Sequence, residues 1–205
     1  MSRARKGGEA RLASARVAAP RRMTYEEFMR LPEERTRCEL ISGWVVREPA
    51  PGYRHQSVVG NLHGLLWDHV RRSGRGRVLL GPFDTVLSRE NVVQPDISYV
   101  SPERSHMITA RHLEGAPDLA IEVLSPHSVR KDRIWRLVQY ARAGVREYWI
   151  VDPEQQTVEV FVLGEPVGDG QQARYELAGV FRPGTPVRSR VLPDFTFDPA
   201  DAFCP

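Results

Sequence analysis

Residues 119–124 read Leu-Ala-Ile-Glu-Val-Leu, an apolar and partly β-branched run with one carboxylate in its middle. The run has the composition of a strand buried on both faces. Glu122 is the residue such a strand should exclude. A lone buried carboxylate costs several kcal/mol or becomes neutral unless its charge is compensated. The fold must therefore bring something to Glu122. Acidic company elsewhere in the chain points to a divalent cation as that compensation, and Asp96 and Glu39 are the best candidates for the company.

Strand alternation sorts the run. Asp118, Ala120, Glu122 and Leu124 share one face, and Leu119, Ile121 and Val123 the other. Gly115-Ala116-Pro117 precedes the strand, and Ser125-Pro126 ends it. A helix over about 129–142 follows, with Gly144 as its stop, and then a second apolar strand, Tyr148-Trp149-Ile150-Val151. Strand, helix, strand is a crossover unit, so part of the sheet is expected to be parallel.

The rest of the chain supplies further elements. Thr24-Tyr25-Glu26-Glu27 fits a capping box opening a short helix. Cys38 to Glu48 reads as a hairpin around Ser42-Gly43. Val58, Val59, Leu62, Leu65, Leu66, His69 and Val70 keep helical spacing over about 55–72, before Ser73-Gly74. Short strands are expected at 78–80, 85–87, 97–100 and 157–163. The Gly- and Pro-richer end offers one or two edge strands, including 175–181.

Charge excludes one easy reading. The chain carries a formal +3, but residues 1–22 hold seven basic residues against Glu9. Residues 23–205 therefore carry about −3, and bulk charge gives no argument for nucleic-acid binding. Residues 1–22 read as a basic, disordered arm, or as the product of a start placed ahead of Met23, and residues 23–205 as a single domain. Cys38 and Cys204 form no CxxC pair, so neither structural zinc nor a disulfide framework is expected, and a reducing cytoplasm fits. No apolar run has the length of a membrane span.

Asp96 follows Pro95 and opens a short strand, so it can lie beside Glu122 if the two strands pair. Paired hard oxygen ligands suit Mg²⁺ or Mn²⁺, and Glu39 adds a third carboxylate. Asp118 sits in a Pro-Asp turn context at its strand's entrance. His55, His63 and His69 are 8 and 6 residues apart, which is no zinc pair, and His69 reads as a packed core residue.

Several segments carry a resemblance, in order along the chain. They are Met23-Thr24-Tyr25-Glu26-Glu27-Phe28, Glu39-Leu40-Ile41-Ser42-Gly43, His55-Gln56, Pro95-Asp96, the run from Ala116 to Pro126, Asp132, and the run from Tyr140 to Pro153. This string resembles the Uma-type restriction-endonuclease family, a bacterial family of the PD-(D/E)xK nuclease superfamily. The resemblance spans about residues 23–163. It implies an α/β, restriction-endonuclease-like fold, a mixed β-sheet flanked by helices with carboxylates at one end. It also implies Mg²⁺-dependent hydrolysis of DNA phosphodiester bonds. Asp96 and Glu122 would hold the metal, Glu39 would assist, and His55 would approach the site.

One departure matters. The superfamily places a lysine two residues after the second acid, where this chain has Leu124. The Uma-type family places it four residues before the tyrosine matching Tyr140, and that position is Arg136. Arg136 can stabilise phosphate charge but stays protonated, so it cannot act as a neutral base. Lys131 is the only lysine beyond the arm. On a regular helix it lies about 140° around from Arg136, so the two are not expected to face one site. The candidate catalytic set is thus Glu39, Asp96, Glu122, Arg136 and Lys131. The rival reading is a catalytically impaired nuclease fold that binds nucleic acid or a protein partner without cutting. Expected partners are DNA and a second copy in a homodimer, with no membrane.

Overall fold

A computed structural model of the chain describes residues 21–31, 37–126, 128–165 and 172–204. Most of the expected basic arm, residues 1–20, lies outside them.

The run around Glu122 is strand β8 (Leu119–Val123), with every residue buried. Its antiparallel neighbour is β6 (Ile97–Val100), with Ile97 opposite Ile121. On its other side runs β9 (Glu147–Asp152), parallel to it. The expected crossover joins β8 to β9 through a helical segment, a π-helical turn over Lys131–Arg136 that continues as helix α3 (Leu137–Ala143). Gly144 ends α3 with φ +84°, a left-handed stop that favours glycine. Strands β10 (Thr157–Leu163) and β11 (Tyr175–Phe181) extend the sheet on the β9 side, and β3 (Arg77–Leu80) closes it beyond β6. Among the described residues the sheet is therefore mixed, with six strands and β11 at one edge.

Helices cover both faces. Helix α2 (Tyr53–Ser73) turns Val58, Val59, Leu62, Leu66 and Val70 onto Leu119, Ile121, Val123, Tyr99 and Trp149. On the opposite face Ala120 and Leu124 pack with Tyr140 of α3, Tyr148 and Ile150. The two faces match the alternation read from sequence. Truncating a fully buried residue such as Leu62 to alanine should cost about 2–5 kcal/mol.

Among the described residues a second sheet has five strands. It contains the hairpin β1 (Arg37–Ile41) and β2 (Trp44–Glu48), together with β5 (Asn91–Val93), β4 (Asp84–Ser88) and β7 (His112–Glu114). Ser42 and Gly43 turn the hairpin with φ +50° and +81°. Helix α1 (Tyr25–Phe28) carries the expected capping box and seats Phe28 against Leu40 and Val92.

Strands β5 and β7 have three residues each, too few to show a period. The Gly- and Pro-rich end forms more than edge strands. It makes a two-stranded ribbon, β12 (Val187–Arg188) with β13 (Thr196–Phe197), and helix α4 (Pro199–Phe203). Phe195 and Phe197 stack on Trp149, and Ala202 is fully buried. His69 packs edge-on to Phe195 and lies 3.0 Å from the Pro193 carbonyl oxygen, but it is half-buried at the margin and not the core residue expected from its place on the apolar face. Among the described residues no helix is long and apolar enough to cross a membrane.

Candidate active site

Asp96 immediately precedes β6, and Glu122 is the fourth residue of β8. The antiparallel pairing of these strands brings the two carboxylates together. Asp96 Oδ2 accepts the Val123 backbone N–H at 2.9 Å, which ties its side chain to the residue after Glu122. Asp96 Oδ1 accepts from Arg37 Nη1 at 2.9 Å, and Oδ2 also lies 3.2 Å from His55 Nε2. Burial opposes ionisation of Asp96. The His55 hydrogen bond, the Arg37 charge and the Val123 N–H outweigh it and hold the carboxyl at about 2.

Glu39 occupies the middle of β1 and is completely buried, facing away from Leu40. Its Oε1 accepts from Arg136 Nη2 at 2.9 Å and from the Gln94 backbone N–H at 2.8 Å. Its Oε2 accepts from Lys131 Nζ at 3.0 Å. Burial again opposes the charge, but Arg136, Lys131, Arg37 and the Gln94 N–H hold this carboxyl at about 2.

Arg136 is 1% exposed and is shared among three acids. Its Nη1 stands 2.5 Å from Glu122 Oε1, and its Nε stands 2.8 Å from Asp132 Oδ1 in a charge contact without hydrogen-bond alignment. Nη1 also donates to the Tyr140 hydroxyl at 2.7 Å, and that hydroxyl donates onward to Glu122 Oε1 at 2.7 Å. Because one guanidinium serves three carboxylates, Glu122 is under-compensated. Burial, with Asp96 and Asp132 nearby, raises its pKa well above the ordinary range against the pull of Arg136. Burial raises Asp132 in the same direction.

Lys131 and Arg136 do converge, contrary to the expectation from regular helix geometry. Both reach Glu39, one at each oxygen. The π-helical turn is the reason, because its i→i+5 repeat stacks residues five apart on one face. Lys131 is half-buried rather than solvated, and Glu48 of β2 holds it from the other side.

A cavity of about 670 Å³ opens here, lined by Asp96, Glu122, Lys131 and Arg136 among others. Glu39 lies behind this wall, reached through Lys131 and Arg136. Asp118 stays outside the group, fully buried and bonded to the Ser101 N–H at 2.7 Å and Arg146 at 3.1 Å. Arg37, Glu48, Asp132 and Tyr140 were not singled out by chemistry in the sequence. Arg37 carried a signal, since it lies two residues before Glu39 on one strand and so shares its face.

The interlocked group holds five carboxylates (Glu39, Glu48, Asp96, Glu122, Asp132) against three permanent cations (Arg37, Lys131, Arg136). Burial disfavours the charge on two of the five, Glu122 and Asp132. Among the described residues no set of three or more His, Cys, Asp and Glu side chains is arranged to hold a metal. Two carboxylates on a cavity wall nevertheless fit Mg²⁺, which typically takes one or two protein carboxylates and fills its other positions with water and phosphate oxygens.

The model of the Uma2 family, described as "Putative restriction endonuclease", matches residues 25–200. The chain belongs to the Uma2 family. In fold, this Uma2 member is similar to a crystal structure from Anabaena variabilis ATCC 29413 described as "a putative nuclease belonging to DUF820". The TM-score is 0.71 at 23% identity, covering 88% of this chain and 97% of that one. Comparison with curated proteins found no match.

Proposed function

We propose that this Uma2 protein is a metal-dependent endonuclease that hydrolyses DNA phosphodiester bonds. The observation that carries the reading is the pairing of β6 with β8, which brings Asp96 and Glu122 to one wall of the cavity. A divalent cation there would supply Glu122 with the compensation that Arg136 alone does not. Asp96 and Glu122 would hold Mg²⁺ or Mn²⁺, and the ion would polarise the phosphate and lower the pKa of the attacking water.

The remaining residues act on that pair. Tyr140 and Arg136 fix one oxygen of Glu122, leaving the other for the cavity side. Arg37 and His55 orient Asp96. Lys131 lines the cavity, is less buried than Arg136, and can meet a phosphate oxygen there. Glu39 positions both cations.

The test is cleavage of plasmid and single-stranded DNA by the full chain in Mg²⁺, Mn²⁺ or EDTA. Metal-dependent cutting that disappears in Glu122→Ala is expected. Unchanged cutting in that variant would sink the assignment.

The sequestration of Arg136 favours a second reading, a nuclease fold that binds DNA without cutting it. An inert wild-type chain whose Arg136→Lys variant cuts strongly would establish that reading instead.

A further inference from the structure

Buried polar atoms are nearly always hydrogen-bonded, so the exceptions point to missing partners. Among the described residues six buried side-chain atoms lack a hydrogen bond. Two of them, Arg136 Nε and Asp132 Oδ1, face each other at 2.8 Å. The other four belong to neighbours in one place: Arg37 Nε and Nη2, His55 Nδ1 and Gln94 Oε1. His55 and Arg37 meet on Asp96, and Gln94 follows β5 and donates its N–H to Glu39.

Arg37 and Asp96 form a partition. Both line the large cavity, and both line a second cavity of about 460 Å³ with Gln94, Gln56 and Gly81. Arg37 spends only Nη1 on Asp96. Its Nε and Nη2 form the other edge of the guanidinium, two parallel N–H donors with no acceptor. That edge has the donor geometry of a bidentate phosphate contact, and because both nitrogens are covered, the partly exposed Arg37 side chain must turn toward the cavity to make it. The Gln94 orphan is equally definite. Its Nε2 donates to Asp84 Oδ1 at 2.8 Å, which leaves Oε1 as a buried acceptor without a partner on a residue that lines the same cavity.

We propose that the second cavity is a phosphate subsite in which the Nε–Nη2 edge of Arg37 binds a phosphodiester next to the one presented to Asp96 and Glu122. The inference rests on the nuclease reading and extends it. The nucleic-acid strand passes over the Arg37–Asp96 partition, with one phosphate on each side. Gln94 Oε1 accepts from a donor on the intervening nucleoside.

The test follows the Nε–H resonance of Arg37 in the full chain, isotope-labelled on arginine, in EDTA so that nothing is cut. The probes are inorganic phosphate and the trinucleotide d(TpTpT). Both are expected to move the Arg37 resonance, and Arg37→Lys, which keeps a cation on Asp96, is expected to bind the trinucleotide about tenfold more weakly. A resonance unmoved by either probe overturns the subsite. A shift with inorganic phosphate alone overturns the strand assignment. If Arg37→Lys does not fold, the wild-type titration decides alone. Failure of the nuclease reading is separable, because it is read from cleavage: an inert chain whose Arg37 still responds to the trinucleotide keeps the subsite and loses the hydrolysis.

Discussion

Lys131 and Arg136 stand five residues apart and close on the two oxygens of one buried carboxylate, Glu39. A regular helix would point them in different directions. The π-helical turn removes that difference and lets one short segment neutralise an acid on the other sheet. The same turn brings Asp132 to Arg136, so a single stretch supplies two cations and one anion to the site.

Arg136 should therefore dominate the stability of this region. Arg136→Met strips the charge partner from Glu39, Glu122 and Asp132 together. Breaking a buried ion pair in this way costs about 3–5 kcal/mol, which in a chain of this size is a fall of about 10 °C in melting temperature. Thermal unfolding by circular dichroism checks it, and a fall of under a degree would show that the acids find other partners.

Glu39 sets an acid limb. Its folded pKa, about 2, lies below the 4.5 of the unfolded chain. Its contribution is present in full above pH 4.5 and is lost as the pH falls through 2. The difference corresponds to about 3 kcal/mol. Urea unfolding across this window should show a steeper loss for wild type than for Glu39→Gln, by about 1.4 kcal/mol per pH unit at most. Parallel curves would place the acid sensitivity elsewhere.

Tyr140→Phe is the mildest probe of how Glu122 is held. The hydroxyl relays between Arg136 and Glu122 in a fully buried position. Its loss should cost about 1–3 kcal/mol of stability. It should also cost about 10- to 100-fold in metal affinity, the usual penalty for an outer-shell partner. Manganese titration of the folded variant measures the second effect. Full affinity would reduce Tyr140 to a packing role.

Much of the placement of these candidate residues was legible in the sequence, for identifiable reasons. Glu122 declared itself because strand burial tolerates so few carboxylates, and alternation put it on the Ala120 and Leu124 face, where the structure has it. Asp96 followed because Pro95 and the short apolar run after it marked a strand start. The convergence of Lys131 with Arg136 was not legible, since periodicity assumes 3.6 residues per turn and the π-helical turn departs from it. Glu48 depended on hairpin register, which sets it opposite Arg37. The C-terminal ribbon and α4 escaped because their order comes from packing on Trp149 and α2, a tertiary effect with no local period.

The most direct test of the account is Mn²⁺ binding to the full chain, followed by electron paramagnetic resonance, in wild type and in folded Asp96→Asn and Glu122→Gln. One bound ion per wild-type chain is expected, with loss of that binding in each variant. No binding by wild type, or equal binding by all three proteins, would contradict it.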